Sequence, residues 1–436
     1  MASPPNVHEA RQRAPAIRSV TKEEPKFNPG KPLFAIISED APLDLIDLPP
    51  SEEVPMMDYD EFLTIAKTQE FLQDLKNSID ELLAYKISFY AKLMEAQREL
   101  LKNTEAMVSV LISKGTSPEE TERLCPGNSS ARSALALAQE ISKTVIARRA
   151  TLSVNALAVG MDKAFTDSKF GLASLKGRKE IKDYVTSKIY AFSKNSKLMG
   201  DTFKNIALYG SPGSGKTRVA QVISWVYYHL FLVEKKIPKI TSRADLIAGY
   251  TGQTAPRVRG VFFESLGGVL FIDEAYQMGQ GKYGKEGLSE LVGLMDQFRG
   301  VSFCIVAGYK EQMLRKMMSK NKGLHRRFPF QFTLDDFSIE ELSYILLSAL
   351  QEILPEGEIR DADRHLIYSV LSSRILDDPN FMEHKAGDAT QLAVDIATRA
   401  SMGGGWCGLT DGQKYMIVNE EMERISQKKR ERHEYE

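Results

Sequence analysis

Eight residues, 210–217, read GSPGSGKT and fit the pattern GxxxxGK[ST]. Glycines at positions 213 and 215 let backbone N–H groups approach a phosphate, and the N-terminus of a following helix adds partial positive charge. Lys216 would bridge the β- and γ-phosphates, and Thr217 would offer its hydroxyl to Mg²⁺. The run therefore predicts an ATP site, whose candidate residues are Gly210, Ser211, Pro212, Gly213, Ser214, Gly215, Lys216, Thr217 and Arg218.

An acidic pair ends a later apolar run, GGVLFIDE at 267–274. If this run forms a strand beside the phosphate loop, Asp273 can hold the metal through a water. Glu274 can then polarise the water that attacks the γ-phosphate. An Asp-Glu pair after a strand is also compatible with simple acids at a helix N-terminus. Behind a phosphate loop, however, the pair indicates hydrolysis of ATP with Mg²⁺.

Composition argues against several classes of protein. The 436 residues include 57 Lys and Arg against 58 Asp and Glu, for a net charge of −1. A protein that mainly wraps nucleic acid or an acidic membrane needs a basic excess. The three cysteines form no CxxC pair, which favours a reducing compartment. The longest nearly apolar run, 222–233, is shorter than the ~20 residues of a membrane span. We expect a soluble, cytoplasmic protein without a membrane span.

The first half of the chain falls into two regions. Residues 1–57 are rich in proline and read as a disordered tail, or as a tail that carries a docking motif near 32–48. Residues 58–165 have a helical pattern that breaks at 115–130 and resumes from 131 to about 165. The first helix repeats apolar residues every seven positions, with Lys86 as the charged exception. The pattern predicts a coiled-coil-like hairpin that either packs on its neighbour or serves as an oligomerisation or adaptor arm.

The pattern of apolar residues changes in the second half of the chain. Between 166 and 335, the short apolar runs NIALYG, GGVLFIDE and SFCIVAGY alternate with helical stretches. From 336 to 436 the pattern is helical, as in a lid followed by a C-terminal tail. The predicted fold is α/β: a three-layer P-loop NTPase domain with a C-terminal helical lid, preceded by an N-terminal α-helical hairpin.

Over about residues 165–400 the chain resembles an AAA+ ATPase of the CbxX/CfxQ branch, which includes the red-type rubisco activases. Besides the phosphate loop, three stretches carry the resemblance: 244–276, 283–296 and 305–313. Residues 1–164 do not match that family. The resemblance implies a homohexamer that uses ATP and Mg²⁺ and acts as a chaperone on a protein client.

The resemblance also implies roles for individual residues. Tyr309 occupies the position called sensor 1, which contacts the γ-phosphate or its water. Arg327 resembles the arginine finger that reaches the nucleotide of an adjacent subunit, and Arg326 beside it is the alternative. Tyr250, Thr251 and Gly252 resemble the central pore loop. Residues 282–285 are either a second pore-facing loop, through Lys282, Tyr283 and Lys285, or a solvated loop.

One departure concerns the lid. The family carries an arginine there that contacts the γ-phosphate of its own subunit, and the resemblance places Thr390 at that position. Arg399 lies about two and a half helical turns later and is expected to point elsewhere. The absence of this arginine should leave nucleotide binding intact, but it weakens the prediction of fast hydrolysis.

Three functions are compatible with these residues. The first is an ATP-driven remodeller that pulls on a polypeptide through Tyr250. The second is a nucleotide-gated structural or assembly component with weak hydrolysis, which binds a partner through residues 1–164. The third is a nucleic-acid motor or loader, for which Arg243, Arg257 and Arg259 flank the pore-loop region. The charge balance and the lack of aromatic stacking platforms disfavour the third.

Overall fold

The computed structural model describes residues 57–117, 120, 127–196, 205–250, 253–321, 323–355, 359–378, 381–382 and 385–433. Residues 1–56, which include the predicted docking motif, lie outside the described part, as do Thr251 and Gly252. Within the described part, no helix combines the length and the apolar character needed to cross a membrane.

Five parallel strands form one sheet in the order β2-β3-β4-β1-β5. Their bounds are β1 Ile206–Gly210, β2 Lys239–Thr241, β3 Val269–Ile272, β4 Phe303–Gly308 and β5 Phe330–Leu334. The three apolar runs of the sequence are β1, β3 and β4, the inner strands, whose residues are almost all buried. Burial on both faces means that helices cover both sides of the sheet. The predicted α/β architecture is confirmed.

The helices follow in chain order. They are α1 Tyr59–Ile65, α2 Gln69–Ser113, α3 Gly127–Thr151, α4 Val154–Thr166, α5 Lys179–Lys194, α6 Lys216–His229, α7 Arg243–Leu246, α8 Thr254–Glu264, α9 Gly284–Gln297, α10 Lys310–Gln312, α11 Gly323–Arg327, α12 Ile339–Ile353, α13 Asp361–Asp377, α14 Ala386–Met402 and α15 Asp411–His433. The last four form the lid, whose apolar core surrounds the buried Trp406. The domain boundaries drawn from the sequence stay predictions.

The predicted N-terminal hairpin is present. Helices α2 and α3 run antiparallel, because Glu105 pairs with Arg132 at 2.8 Å and Asp80 pairs with Arg149 at 2.9 Å. The second helix ends earlier than the pattern predicted. Ser153 accepts a hydrogen bond from the Ala156 N–H at 3.1 Å and starts a separate helix, α4. A serine in that position competes with helix continuation by capping the next helix.

Lys86, the charged exception in the heptad pattern, anchors the hairpin to the sheet domain. Its side chain is fully buried; Nζ donates to the Leu232 carbonyl at 2.8 Å and to Glu234 Oε1 at 2.9 Å. From α3, Arg148 donates to the Tyr228 carbonyl and lies 4.5 Å from the centre of the Phe231 ring. The hairpin therefore packs on the end of α6 and on its connection to β2, through the buried Lys86 and the half-buried Arg148.

Burial of both charges dictates the cost of breaking the Lys86–Glu234 pair. Replacement Lys86→Met leaves the Glu234 carboxylate buried without its partner, which should lower the free energy of unfolding by about 3–5 kcal/mol. Replacing both residues, Lys86→Met with Glu234→Leu, should recover most of that loss. Denaturant unfolding followed by circular dichroism measures both variants.

The exposed pair Arg132–Glu105 on the same hairpin supplies the control. Arg132→Gln should cost less than about 1 kcal/mol because solvent screens that pair. Equal losses for Lys86→Met and Arg132→Gln would contradict the anchoring role.

Candidate nucleotide-binding site

The phosphate loop connects β1 to α6 with a backbone that requires glycine at two positions. Gly213 has φ 70° and Gly215 has φ 90°, both in the region that residues with a Cβ rarely adopt. Gly210 is constrained by space, since a Cβ there would lie 2.4 Å from Ser214 Oγ. Helix α6 begins directly after the loop, so its unpaired N–H groups and its dipole face the loop.

Lys216 is folded back over this loop. Its Nζ donates to the carbonyl of Gly210 at 3.0 Å and to that of Ser211 at 2.9 Å. Burial lowers the pKa of Lys216, and the carboxylates of Asp273 and Glu274 oppose that shift. The ammonium group is thus held at the mouth of the loop, next to Thr217 in the first turn of α6.

Asp273 and Glu274 follow β3 directly. The Asp273 N–H donates to the Thr241 carbonyl at 3.0 Å, which extends the pairing of β3 with β2 and fixes the start of the turn. The Glu274 N–H donates to Asp273 Oδ1 at 3.0 Å. Glu274 has φ 48° and ψ 40°, a left-handed conformation that costs a residue with a Cβ about 1–3 kcal/mol. This turn redirects the chain immediately after the strand and sets where the Glu274 carboxylate begins.

Tyr276 is a member of the site that the sequence reasoning missed. Burial raises its pKa, and its hydrogen bond to Glu274 raises it further. The Tyr276 ring centre lies 6.2 Å from that of Tyr309, at the end of β4. Between them, Gly308 has no room for a side chain, since a Cβ would lie 3.0 Å from the Tyr276 ring. The only sequence signal was the position of Tyr276 two residues after Glu274.

Tyr309 lies on the same side as Lys216. Its ring centre is 6.0 Å from Lys216 Nζ, and 36% of the residue is exposed. Because β4 lies between β1 and β3, the carboxyl ends of these three strands bring Lys216, Asp273 and Tyr309 to one edge of the sheet. In open parallel sheets, this edge is where ligands bind.

The residues at this edge fit a magnesium nucleotide. Among the described residues, no group of three or more His, Cys, Asp or Glu side chains could hold a metal ion without help. Mg²⁺ typically takes one or two protein ligands and completes its shell with water and phosphate oxygens. Thr217 and Asp273 match that requirement, and the glycine-rich loop matches the phosphates.

Arg218 has different neighbours from the rest of the predicted loop. It donates to the Lys169 carbonyl and lies 5.0 Å from the centre of the Phe170 ring. Burial lowers its pKa, while Glu352 and Asp167 oppose the shift. In this structure, Arg218 therefore joins α6 to the segment that precedes α5.

Two further cations border the loop, and the sequence reasoning missed both. Arg178 donates to the Ser214 carbonyl at 2.9 Å and lies 4.3 Å from the centre of the Phe337 ring. Lys385 donates to Ser211 Oγ at 3.0 Å. Neither belongs to a recognisable motif, and the fold brings them to the loop from the segment before α5 and from the lid.

The two arginines of α11 differ in their surroundings. Arg327 forms a two-pronged contact with Asp296 of α9, of which the Nε–Oδ1 distance is 2.9 Å. This contact raises the pKa of Arg327. Arg326 is exposed. Asp296 thus fixes the direction of the Arg327 guanidinium at the start of the edge strand β5.

Tyr250, the predicted pore residue, is 73% exposed at the end of the segment after α7. The segment 281–285 borders the same region. The Ala255 N–H donates to Glu286 Oε1 at 3.2 Å, and a Cβ at Gly287 would lie 2.9 Å from Ile247 Cδ1. Helices α8 and α9, which follow the two segments predicted to face a pore, therefore contact each other near their N-termini.

Two of the arginines considered for nucleic-acid binding have protein partners. Arg257 donates to the Asp245 carbonyl at 2.8 Å, and Arg259 pairs with Glu290 at 2.7 Å. The Glu290 carboxylate offsets the charge of Arg259, and the Asp245 carbonyl occupies one of the donors of Arg257.

Within the described part of the chain, the hydrogen bonds and ion pairs of Thr390 and Arg399 lie away from the loop. Thr390 is exposed and donates to the Ala386 carbonyl of its own helix at 2.9 Å. Arg399 pairs with Glu421 at 2.8 Å and with Glu420, both on α15. The expectation that Arg399 points elsewhere agrees with these contacts.

Comparison with known proteins agrees with this geometry. Residues 206–332 match the model of the ATPase family associated with various cellular activities (AAA). The chain is 32% identical over 191 residues to the Stage V sporulation protein K of Bacillus subtilis, which is 42% of this chain and 59% of that protein. It is 37% identical over 162 residues to the CfxQ homolog of Cyanidium caldarium, covering 35% of this chain and 56% of that protein.

A third relative is the chloroplastic ribulose bisphosphate carboxylase/oxygenase activase of Cyanidioschyzon merolae. It is 36% identical over 162 residues, which is 35% of this chain and 55% of that protein. The chain thus spans a little over half of the length of these curated relatives. Together with the phosphate loop and the parallel sheet, these matches show that residues 206–332 match a AAA ATPase domain and that this part of the chain is similar to proteins of the CfxQ branch.

Proposed function

We propose that this protein hydrolyses ATP as a homohexameric ring and uses the energy to remodel a protein client through a central pore. The observation that carries the proposal is the meeting of Lys216, Asp273, Glu274 and Tyr309 at the carboxyl edge of β1, β3 and β4. An ammonium group, a metal-binding carboxylate and a carboxylate able to orient water are the parts that phosphoryl transfer needs.

The residues divide the chemistry between them. The loop amides and Lys216 would bind the β- and γ-phosphates, and Thr217 and Asp273 would hold Mg²⁺, which would neutralise charge on those phosphates. Glu274 accepts a hydrogen bond from the attacking water and orients it. Tyr276, through its hydrogen bond to Glu274, limits the directions in which that carboxylate can turn. Tyr309 contacts the water or the terminal phosphate from the end of β4.

The position of Arg327 supports the proposal of a homohexameric ring. The arginine precedes β5, the strand at one edge of the sheet, and Asp296 holds its guanidinium in a fixed direction. An arginine at that edge can reach the nucleotide of an adjacent subunit and stabilise charge on the transferring phosphoryl group. The name of one relative, a ribulose bisphosphate carboxylase/oxygenase activase, is compatible with action on a protein client.

Client contact is supported by the exposure of Tyr250. The helices that follow the two predicted pore-facing segments, α8 and α9, pack together at their N-termini. An exposed aromatic ring on such a segment can grip an extended polypeptide without reading its sequence.

A nucleotide-gated assembly component is the second candidate. Helix α2 carries exposed apolar side chains near the tip of the hairpin, Met107, Val110 and Ile112. Because Lys86 and Arg148 pack against the sheet domain, removal of residues 1–164 would also uncover that interface. Charge substitution at the tip, as in Val110→Glu, is the cleaner test: partner capture that is lost while ATPase activity persists would favour this candidate.

Glu274→Gln tests the hydrolytic assignment. The amide cannot accept the proton of the attacking water, so kcat should fall by about 10²–10⁴-fold, whereas ATP affinity should stay within about twofold. Steady-state phosphate release and equilibrium binding of fluorescent ATP measure the two quantities. Glu264→Gln, which removes a carboxylate that pairs with Lys239 beside β2, is the matched control and should keep wild-type rates. Equal rates for wild type and Glu274→Gln would refute the assignment.

Arg327→Ala tests the ring. Loss of an arginine that acts on the neighbouring nucleotide should lower kcat by about 10³-fold or more with ATP affinity retained. Arg326→Ala is the control and should retain most activity. Mixing Arg327→Ala subunits with Lys216→Ala subunits should restore part of the activity, since an intact Arg327 then faces an intact Lys216. If mixing restores nothing while both variants co-assemble, Arg327 does not act between subunits.

A further inference from the structure

A lysine from the lid lies against the phosphate loop. Lys385 immediately precedes α14, and its Nζ donates to Ser211 Oγ at 3.0 Å. The same ammonium pairs with the Asp336 carboxylate, which also accepts a hydrogen bond from the Ser211 hydroxyl at 3.0 Å. The next residue, Ala386, approaches the Gly213 carbonyl through its N–H at 3.4 Å. The start of α14 therefore docks on the first half of the loop.

Two ammonium groups thereby contact one residue of the loop. Lys216 reaches the carbonyl of Ser211 from α6, and Lys385 reaches its hydroxyl from the lid. The N-termini of α6 and α14 add partial positive charge at the same place. Asp336 offsets part of this charge, but its side chain is 66% exposed, so solvent weakens its effect. Two ammonium groups and one exposed carboxylate thus contact Ser211, an arrangement that can accept an anion.

The backbone holds Lys385 in this position at a cost. Its φ of 50° and ψ of −110° lie outside the regions that residues with a Cβ normally adopt. Strain of this kind persists where surrounding contacts fix the conformation, and such positions cluster at ligand sites. The side chain is only 18% exposed, so its head group is directed inward over the loop.

We propose that Lys385 binds the terminal phosphate of the nucleotide from the lid and so makes the site prefer ATP to ADP. This inference rests on the proposed ATP site. On binding, the Lys385 ammonium exchanges its contact with Asp336 for one with the γ-phosphate. Because Lys385 belongs to the lid and Lys216 to the sheet domain, a phosphate held by both links the two. Thr390 and Arg399, which contact other groups, are not needed for this link.

Two variants at position 385 test the proposal. Lys385→Met keeps most of the side-chain length but removes the charge; the affinity for a non-hydrolysable ATP analogue should fall about 10- to 100-fold, in line with the loss of one charge-assisted hydrogen bond. Affinity for ADP should change less than about threefold, since ADP lacks the γ-phosphate. Lys385→Arg keeps the cation and should retain the preference. Calorimetric titration with Mg²⁺ present measures all four affinities.

Asp336→Asn should act in the opposite direction. The carboxylate competes with the phosphate for the Lys385 ammonium, so its neutralisation should strengthen binding of the ATP analogue more than that of ADP. A purely structural role of the Lys385–Asp336 contact predicts instead that Lys385→Met and Asp336→Asn weaken both nucleotides to the same extent. That result would overturn the proposal.

Glu352→Gln supplies the matched control. This substitution breaks another ion pair between the sheet domain and the lid, Lys169–Glu352 at 2.6 Å. It should leave the ratio of the affinities for the ATP analogue and for ADP unchanged. Melting temperatures without nucleotide show whether each variant folds. If the wild type fails to bind the ATP analogue, the proposed function itself fails. If the wild type binds the ATP analogue and Lys385→Met keeps the wild-type ratio of affinities for the analogue and for ADP, only the inference about Lys385 is wrong.

Discussion

Parallel pairing of β1 with β4 and of β4 with β3 is the constraint on which the site depends. Backbone hydrogen bonds fix the register, with Ile206 opposite Ile305 and Phe271 opposite the same Ile305 on the other side. All three strands therefore end at one edge, where each is followed by a polar residue or a glycine-rich turn. The sheet sets the distances between the loop, the acidic pair and Tyr309, although these residues are far apart in the sequence.

Small residues make this edge compact enough to act as one site. The loop tolerates no side chain at Gly210, and Gly308 lets Tyr276 lie across the end of β4. Tyr276 in turn hydrogen-bonds to Glu274, whose backbone is left-handed. The left-handed backbone at Glu274 is tolerated because the pairing of β2 with β3 fixes the start of the turn.

The sheet domain is held between two helical regions, and the two contacts differ in kind. The hairpin is fixed by the buried Lys86 and the half-buried Arg148, which donate to carbonyl groups and a carboxylate at the end of α6 and in the connection after it. Such contacts are costly to break and favour a rigid attachment. The lid meets the phosphate loop through Lys385 and Asp336, which remain partly accessible to water. A contact of that type can exchange partners when an anion arrives, so movement is expected on the lid side.

Local sequence determined the parts of this protein that depend on local chemistry. The glycines, Lys216 and Thr217 have a fixed spacing because a phosphate imposes it, and the inner strands are apolar because both of their faces are buried. The edge strands β2 and β5 escaped prediction, since they alternate between buried and exposed residues over a short length. The break between α3 and α4 at Ser153 was also not predicted, because the free energies of a serine as a helix cap and in a helix interior differ only slightly.

Only the tertiary structure decided which distant residues surround the phosphate loop. Lys385, Arg178 and Asp336 occur in no motif and lie far from the loop in sequence, yet each contacts it or its neighbours. The partner of Arg327, Asp296, and the role of Lys86 as an anchor were hidden for the same reason. The sequence does not show which charged residues form a pair. The packing of separate helices brings the two residues together, and burial then decides how strongly they interact.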